Sequence, residues 1–343
     1  MDPIIEATNL KKHFGGEKGV MDTILGNEPT SVKAVDGVSL SVNEGEIVGV
    51  AGESGCGKTT LGKLLVSLHE PTEGEVSFRD RTYQEMTGEE RKEFRQQVQM
   101  IFQDPFESLN PRFTVADIVT EPLKINDMGD SYEDRRQRAI TALQDAGLEP
   151  AEQYLERFPR ELSGGEQQRV AIARALVVNP DFILADEPVS MLDVSIRAGV
   201  LNLMKELRDK YNLTYVIISH DLSLIRYMCD RTAIMYLGDV VEIGETETVI
   251  NEPKHPYTEA LLDAVPVPEP SGGRKRANIK GEIPSPENPP SGCKFHPRCP
   301  EYIGDICQDV DPDFREADTG QQVACHLYEE DETSRRRVTQ PES

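Results

Sequence analysis

A glycine-rich loop at residues 52–60, G-E-S-G-C-G-K-T-T, constrains this chain more than any other segment. It follows the apolar run 47–51 and precedes the run 61–66, which is the order of strand, loop and helix that a phosphate-binding loop requires. Glycines allow successive backbone N–H groups to turn inward around a triphosphate, and the positive end of the following helix favours the negative charge. An ordinary glycine-rich turn is the alternative, but the flanking elements favour nucleotide binding.

The loop supplies most of the predicted nucleotide contacts. We expect Lys58 to reach the β- and γ-phosphates and Thr59 to offer its hydroxyl to Mg²⁺. The other positions that we expect to line the ATP site are Gly52, Glu53, Ser54, Gly55, Cys56, Gly57 and Thr60.

A second segment, 182–187, has the pattern of a buried strand that ends in two carboxylates. Asp186, at the strand end, suits the outer coordination shell of Mg²⁺. Glu187, one residue later, suits polarising the attacking water as general base. A strand that ends in a solvated acidic turn is the alternative, and the upstream loop favours the catalytic interpretation.

A third segment, L-S-G-G-E-Q-Q-R at 162–169, opens a helix that runs through residues 170–176. The hydroxyl of Ser163 and the N–H groups of Gly164 and Gly165 form a second anion-binding helix terminus. Without the other segments, this pattern would indicate only a helix cap. Together with the loop at 52–60, this segment gives one chain two separate phosphate-binding ends.

Together these segments resemble the nucleotide-binding subunits of ABC transporters over roughly residues 4–265, with Glu166 where the LSGGQ signature has glutamine. The resemblance implies an α/β fold of the P-loop NTPase type, with a parallel sheet flanked by helices, an antiparallel β subdomain and a helical subdomain. It further implies that two such domains pack head to tail. ATP is then held between the loop of one domain and the signature of the other.

The resemblance also implies roles for four isolated residues. Gln103 would sense Mg²⁺ and link hydrolysis to the membrane subunits, and His220 would contact the γ-phosphate. Asp193 would belong to the loop that faces the second domain, and Phe14 would stack on adenine. By pattern alone, a lone glutamine or histidine such as Gln103 or His220 is more often structural than catalytic, and Phe14 equally fits an apolar residue under the sheet.

A narrower resemblance concerns oligopeptide and dipeptide importers, whose ATPases resemble segments 102–111 and 185–195. Their C-terminal extension resembles segments 255–266 and 292–300, and the insertion at about 15–32 resembles the second of their two ATPases. This implies a peripheral subunit at the cytoplasmic face of the membrane, with two permeases, a second ATPase of the same or a different chain, and an extracytoplasmic solute-binding protein. Import of nickel or another small solute, and a soluble non-transport ABC ATPase, remain alternatives.

Four cysteines near the C-terminus, Cys293, Cys299, Cys307 and Cys325, have spacings that match no standard zinc finger. Thiolates gathered in a short segment can hold it together by ligating a metal, whereas disulfides suit exported proteins. The importer resemblance points to a [4Fe–4S] cluster. Zinc, and four free or partly paired thiols, remain as alternatives.

Composition bounds the remaining possibilities. The formal charge of −24 makes nucleic acid an unsuitable partner, and it suggests a salty host cytoplasm in which ions screen the self-repulsion. No apolar run is long enough to span a membrane.

We predict a nucleotide-binding domain at 4–265 with a helical part at about 112–160, a proline-rich linker at 266–292, a cysteine-rich extension at 293–328 and a disordered tail at 329–343. Segment 233–244 predicts a hairpin with its turn at Gly238 and Asp239.

Overall fold

The computed structural model describes residues 3–15, 31–264, 281–317 and 319–328. Most of the insertion at 15–32, the first part of the predicted linker and the predicted tail therefore lie outside the described residues.

Two β-sheets organise the described chain. The smaller sheet is antiparallel, with strand order β2-β1-β4-β5, and the larger has eight strands in the order β11-β12-β10-β9-β3-β8-β7-β6. The strands are β1 Pro3–Gly15, β2 Ser31–Asn43, β3 Ile47–Ala51, β4 Glu73–Phe78, β5 Arg81–Thr82, β6 Val98–Ile101, β7 Phe182–Asp186, β8 Thr214–Ser219, β9 Arg231–Tyr236, β10 Asp239–Glu245, β11 Phe314–Glu316 and β12 Gln322–Ala324.

Eleven α-helices connect these strands in the described part of the chain. They are α1 Lys58–Leu65, α2 Gly88–Gln97, α3 Pro105–Ser108, α4 Val115–Ile125, α5 Tyr132–Asp145, α6 Gly164–Leu176, α7 Val194–Tyr211, α8 Leu222–Met228, α9 Thr246–Asn251, α10 Pro256–Ala264 and α11 Ile306–Asp309. Helices α4 and α5 pack on α6. Short 3₁₀ turns occur at Tyr83–Glu85, Ala151–Gln153, Pro159–Glu161 and His326–Tyr328.

The centre of the large sheet is parallel and covered on both faces. Strands β9, β3, β8, β7 and β6 run parallel, and every residue of β3, β7 and β8 is buried. Alternate β3 residues enter different cores, because Ile47 packs with the α6 to α8 side and Val48 packs with α1 and the antiparallel sheet. Such double coverage explains the continuous apolar runs in these strands. The predicted α/β fold with an antiparallel β part is confirmed.

The outer strands of this sheet are antiparallel and include the C-terminal segment. Strand β10 pairs with β9 on one side and with β12 on the other, where Glu242 lies opposite Val323. Gln321 donates from Nε2 to Oε1 of the fully buried Glu242 at 2.9 Å. The cysteine-rich segment therefore continues the main sheet.

The predicted hairpin forms, but its turn begins one residue earlier than predicted. Leu237 and Gly238 both have positive φ, 42° and 88°, and Tyr236 already pairs with Asp239. A two-residue hairpin turn of type I′ needs left-handed backbone at both positions. Leu237 accepts that conformation, and its side chain is buried.

Candidate functional site

Two glycines in the 52–57 loop are needed because other backbone lies against them. A Cβ on Gly57 would lie 1.9 Å from the carbonyl oxygen of Ala34, and one on Gly52 would lie 2.2 Å from that of Met235. Both also have positive φ. A Cβ on Gly55 would meet nothing within 4 Å, so the loop is open on that side.

Lys58, the first residue of α1, is buried, and its ammonium lies inside the loop. Its Nζ donates to the carbonyl oxygens of Gly52 and Glu53, both at 2.8 Å. The structure thus places the predicted phosphate-binding ammonium within the curve of the loop. A bound anion would compete with these two carbonyls for its protons.

Thr59 and Asp186, the predicted Mg²⁺ residues, are brought together although they are far apart in sequence. The Thr59 hydroxyl donates to Oδ1 of Asp186 at 3.2 Å. Burial raises the pKa of Asp186 above its ordinary value, although the Thr59 hydroxyl and nearby lysines act in the opposite direction. A hydroxyl beside a buried carboxylate suits a hard cation such as Mg²⁺, so these two residues fit the ion.

Glu187, Gln103 and His220 converge at the carboxyl edge of the parallel sheet. Glu187 accepts a hydrogen bond on Oε2 from Gln103 Nε2 at 2.9 Å, and its Oε1 lies 2.8 Å from His220 Nδ1. The three residues follow β7, β6 and β8, which end at the same edge. Glu187 has a φ of 46°, and its N–H donates to the carbonyl oxygen of Ile218 at 2.9 Å. The backbone and both neighbours therefore fix the carboxylate.

The signature segment forms the N-terminus of α6. The backbone N–H and the hydroxyl of Ser163 both donate to Oε2 of Glu166 at 2.8 Å, while Ser163 Oγ accepts from the Glu166 N–H at 3.3 Å. Glu166 thus completes a capping box, which satisfies N–H groups that a helix start leaves without partners. The backbone hydrogen bond from Ser163 lowers the pKa of Glu166.

The exposed signature end and the 52–60 loop are separate features of one chain. Among the described residues, no hydrogen bond joins Ser163, Gly164 or Gly165 to that loop. Ser163 and Asp193 are both exposed, and Asp193 stands at the start of α7.

Phe14 lies on β1 and is 38% exposed, so its ring is not under the sheet. Lys12 Nζ is 5.3 Å from the ring centroid, and His69 meets the ring edge at 5.6 Å between centroids. The alternative interpretation of Phe14 as a core residue is therefore wrong.

The four C-terminal cysteines lie near one another without forming a ligand set. Burial raises the pKa of Cys293 to about 11 and the pKa values of Cys299 and Cys325 to about 12, and negative charge on neighbouring cysteines adds to each rise. Within the described ranges, however, no three cysteine, histidine or acidic side chains are arranged to hold a metal ion. Thiol chemistry fits a soft metal, but the observed arrangement does not.

Two residues at the loop were missed in the sequence. The N–H of Glu53 donates to Tyr257 Oη at 2.9 Å, and the Glu53 carboxylate accepts from Arg298 at 3.0 and 3.2 Å. Both partners are more than 200 positions away in the chain, so no local pattern reveals them.

In the described ranges, no helix is long and apolar enough to cross a membrane.

Two family profiles match the sequence. The profile described as ABC transporter matches residues 35–190. The profile described as the oligopeptide/dipeptide transporter C-terminal region matches residues 241–307.

Curated relatives match over nearly the whole chain. The putative oligopeptide transport ATP-binding protein YkfD of Bacillus subtilis is 46% identical over 96% of this chain and 97% of its own. AppF, an oligopeptide transport ATP-binding protein of the same organism, is 47% identical over 95% and 98%. The dipeptide transport ATP-binding protein DppF of Escherichia coli is 44% identical over 97% of each chain.

Solved structures share the fold. The ATP-binding cassette MJ0796, in a dimeric post-hydrolysis state bound to ADP and Pi, is 32% identical, with a TM-score of 0.61 over 71% of this chain and 98% of its own. CbiO1 of Clostridium perfringens, described as part of the ABC transporter complex cbiONQ, is 25% identical, with a TM-score of 0.61 over 74% and 92%.

Proposed function

Because this chain belongs to the ATP-binding proteins of ABC transporters, we propose that it is the ATP-hydrolysing subunit of an importer for dipeptides or oligopeptides. The observation that carries the peptide assignment is the identity of 44 to 47% to peptide-transport relatives along nearly the full chain. The match to the oligopeptide/dipeptide C-terminal region supports it independently of the ATPase segments.

In the proposed mechanism, two such domains enclose ATP. Lys58 would exchange its contacts with loop carbonyls for the phosphates. Thr59 and Asp186 would hold Mg²⁺, which would neutralise charge on the phosphates. Glu187 removes a proton from the attacking water while Gln103 and His220 keep its carboxylate in place. Ser163, Gly164 and Gly165 of the second subunit supply the facing helix terminus, and Asp193 lies at the contact between the two subunits.

We assign the subunit a peripheral position at the cytoplasmic face of the cell membrane. Two permeases, a second ATPase and an extracytoplasmic solute-binding protein complete the proposed assembly. The names of the relatives, which are transport ATP-binding proteins, support this arrangement. Whether the second ATPase is a copy of this chain is decided by the composition of the purified complex.

The function is tested in proteoliposomes that contain this chain with the permeases, second ATPase and binding protein encoded beside it. We expect ATP-dependent accumulation of a labelled dipeptide or oligopeptide, and no accumulation when Glu187→Gln replaces the wild-type chain. Accumulation of Ni²⁺ in place of peptide would overturn the peptide assignment. ATP hydrolysis without any association with permeases would favour a soluble ATPase.

For the four cysteines we propose ligation of a [4Fe–4S] cluster, with Zn²⁺ as the alternative ion. Support comes from their mutual proximity, because repulsion between neighbouring thiolates would be relieved by a bound cation, and from the burial of Cys307 and Cys325. Ligation requires the thiols to move from the arrangement described above. Iron, sulfide and zinc analysis of the anaerobically purified chain tests this, and absence of all three would leave four free thiols.

We also propose that the formal charge of −24 adapts the chain to a salty cytoplasm. High salt would then increase solubility and activity by screening repulsion between carboxylates. Better solubility and activity in dilute buffer than in molar KCl would contradict the proposal.

A further inference from the structure

Arg298, from the cysteine-rich extension, forms a two-point ion pair with the second residue of the phosphate-binding loop. Its Nη1 lies 3.0 Å from Oε2 of Glu53, and its Nη2 lies 3.2 Å from Oε1. Nη1 also lies 3.3 Å from the hydroxyl of Tyr236. The Arg298 side chain is only 7% exposed, so water screens this pair weakly.

Arg298 is held in place by the turn that Cys293 and Cys299 bound. Within that turn, the N–H of Arg298 donates to the carbonyl oxygen of Phe295 at 2.9 Å. Phe295 is buried against the rings of Tyr236 and Tyr257, at 5.3 and 5.4 Å between centroids. The packing of these aromatic rings therefore fixes the position of Arg298 in the extension.

Glu53 is the point at which this support reaches the nucleotide site. Its carbonyl oxygen accepts from Lys58 Nζ at 2.8 Å, and its N–H donates to Tyr257 Oη. Its side chain is about a quarter exposed, at 24%. Without Arg298, a negative carboxylate would stand unpaired on the loop that must receive a triphosphate, and the loop would lose one of its anchors.

We propose that Arg298 is a positioning residue for ATP binding, which neutralises Glu53 and fixes the start of the phosphate-binding loop. The extension is then a structural part of the nucleotide site. This inference rests on ATP binding by the loop, and it is independent of the transported solute.

The test is the affinity of the full-length chain for a fluorescent ATP analogue. We expect Arg298→Gln to raise the Kd about tenfold, which corresponds to about 1.4 kcal/mol. The double variant Arg298→Gln with Glu53→Gln should recover most of the lost affinity, because the unpaired negative charge is gone. Arg298→Lys keeps the charge, so it should bind the analogue more tightly than Arg298→Gln. If Arg298→Gln does not fold, Arg298→Lys takes its place in the measurement.

Two control variants separate this role from general loosening. Arg231→Gln removes a partly buried arginine that pairs with Glu46 at 3.1 Å, away from the loop. Lys294→Met removes another anchor of the extension, which contacts Asp36 and Asp239 at 3.1 and 2.8 Å. Both should keep the wild-type Kd even where the thermal midpoint falls.

Three results would overturn the inference. They are a Kd for Arg298→Gln within twofold of wild type, an equal rise in Lys294→Met, and no recovery in the double variant. If the wild-type chain itself fails to bind the analogue, the proposed ATPase function fails first, so the two failures are distinguishable.

Discussion

Replacing Glu187 by glutamine isolates the proposed general base with little change in shape. The carboxylate interacts with Gln103 Nε2 at 2.9 Å and with His220 Nδ1 at 2.8 Å. An amide of nearly equal size keeps one acceptor oxygen for these partners, and the backbone bond to Ile218 does not involve the side chain. ATP binding through the 52–60 loop should therefore persist.

The expected loss lies in the chemical step. A positioned general base typically contributes about 10² to 10⁴ in rate, which is about 2.7 to 5.4 kcal/mol of transition-state stabilisation at 1.36 kcal/mol for each factor of ten. Phosphate release should fall by that factor, while the Kd for an ATP analogue stays within about threefold. Glu206→Gln, which changes an exposed carboxylate on α7, is the matched control.

Two results would refute this reasoning. If Glu187→Gln retains turnover within tenfold of wild type, another group is the base. If the variant loses ATP affinity together with turnover, Glu187 acts mainly in holding the nucleotide, and the kinetic role assigned to it is wrong.

Two further predictions concern Gly57 in the loop and Asp36 on β2. Gly57→Ala should raise the Kd for ATP at least tenfold, because its Cβ would fall 1.9 Å from the Ala34 oxygen, whereas Gly88→Ala meets nothing within 4 Å and should bind normally; equal affinities would contradict this. Burial would raise the pKa of Asp36, but Lys294 and other cations lower it from 3.8 to about 2, so its contribution of about 2 kcal/mol is present above pH 3.8 and is lost as the pH falls towards 2. In Asp36→Asn, the unfolding free energy measured by urea titration should therefore fall less between pH 4 and 2 than in the wild type. If it falls by the same amount in both proteins, this ion cluster is not the source of the pH dependence.

The features predicted from sequence are those encoded in short patterns. Buried strands can be recognised in the sequence as apolar runs, and the glycine-rich loop lies between one such run and a helix. The residues that follow β6, β7 and β8 meet because parallel strands end at a common edge. The roles of Gln103 and His220 came only from the family resemblance, and the common edge explains why both side chains contact Glu187.

The features that were missed depend on long-range packing. Strand β12 pairs with β10 about 80 positions away, and Arg298 meets Glu53 at a separation of 245 residues. The hairpin turn lies one residue earlier than predicted because burial of the Leu237 side chain offsets the cost of its left-handed backbone. Cysteine spacing likewise could not specify geometry, since four thiols can be neighbours without forming a ligand set.

The central claim is that ATP is enclosed between the 52–60 loop of one subunit and the Ser163 end of α6 in another. Light scattering on the 38.3 kDa Glu187→Gln chain, alone or with its partner ATPase, tests this directly. With Mg²⁺ and ATP we predict a dimer, and adding Ser163→Glu should leave it monomeric with nucleotide still bound. A wild-type chain that remains monomeric while it hydrolyses ATP at full rate would contradict the claim.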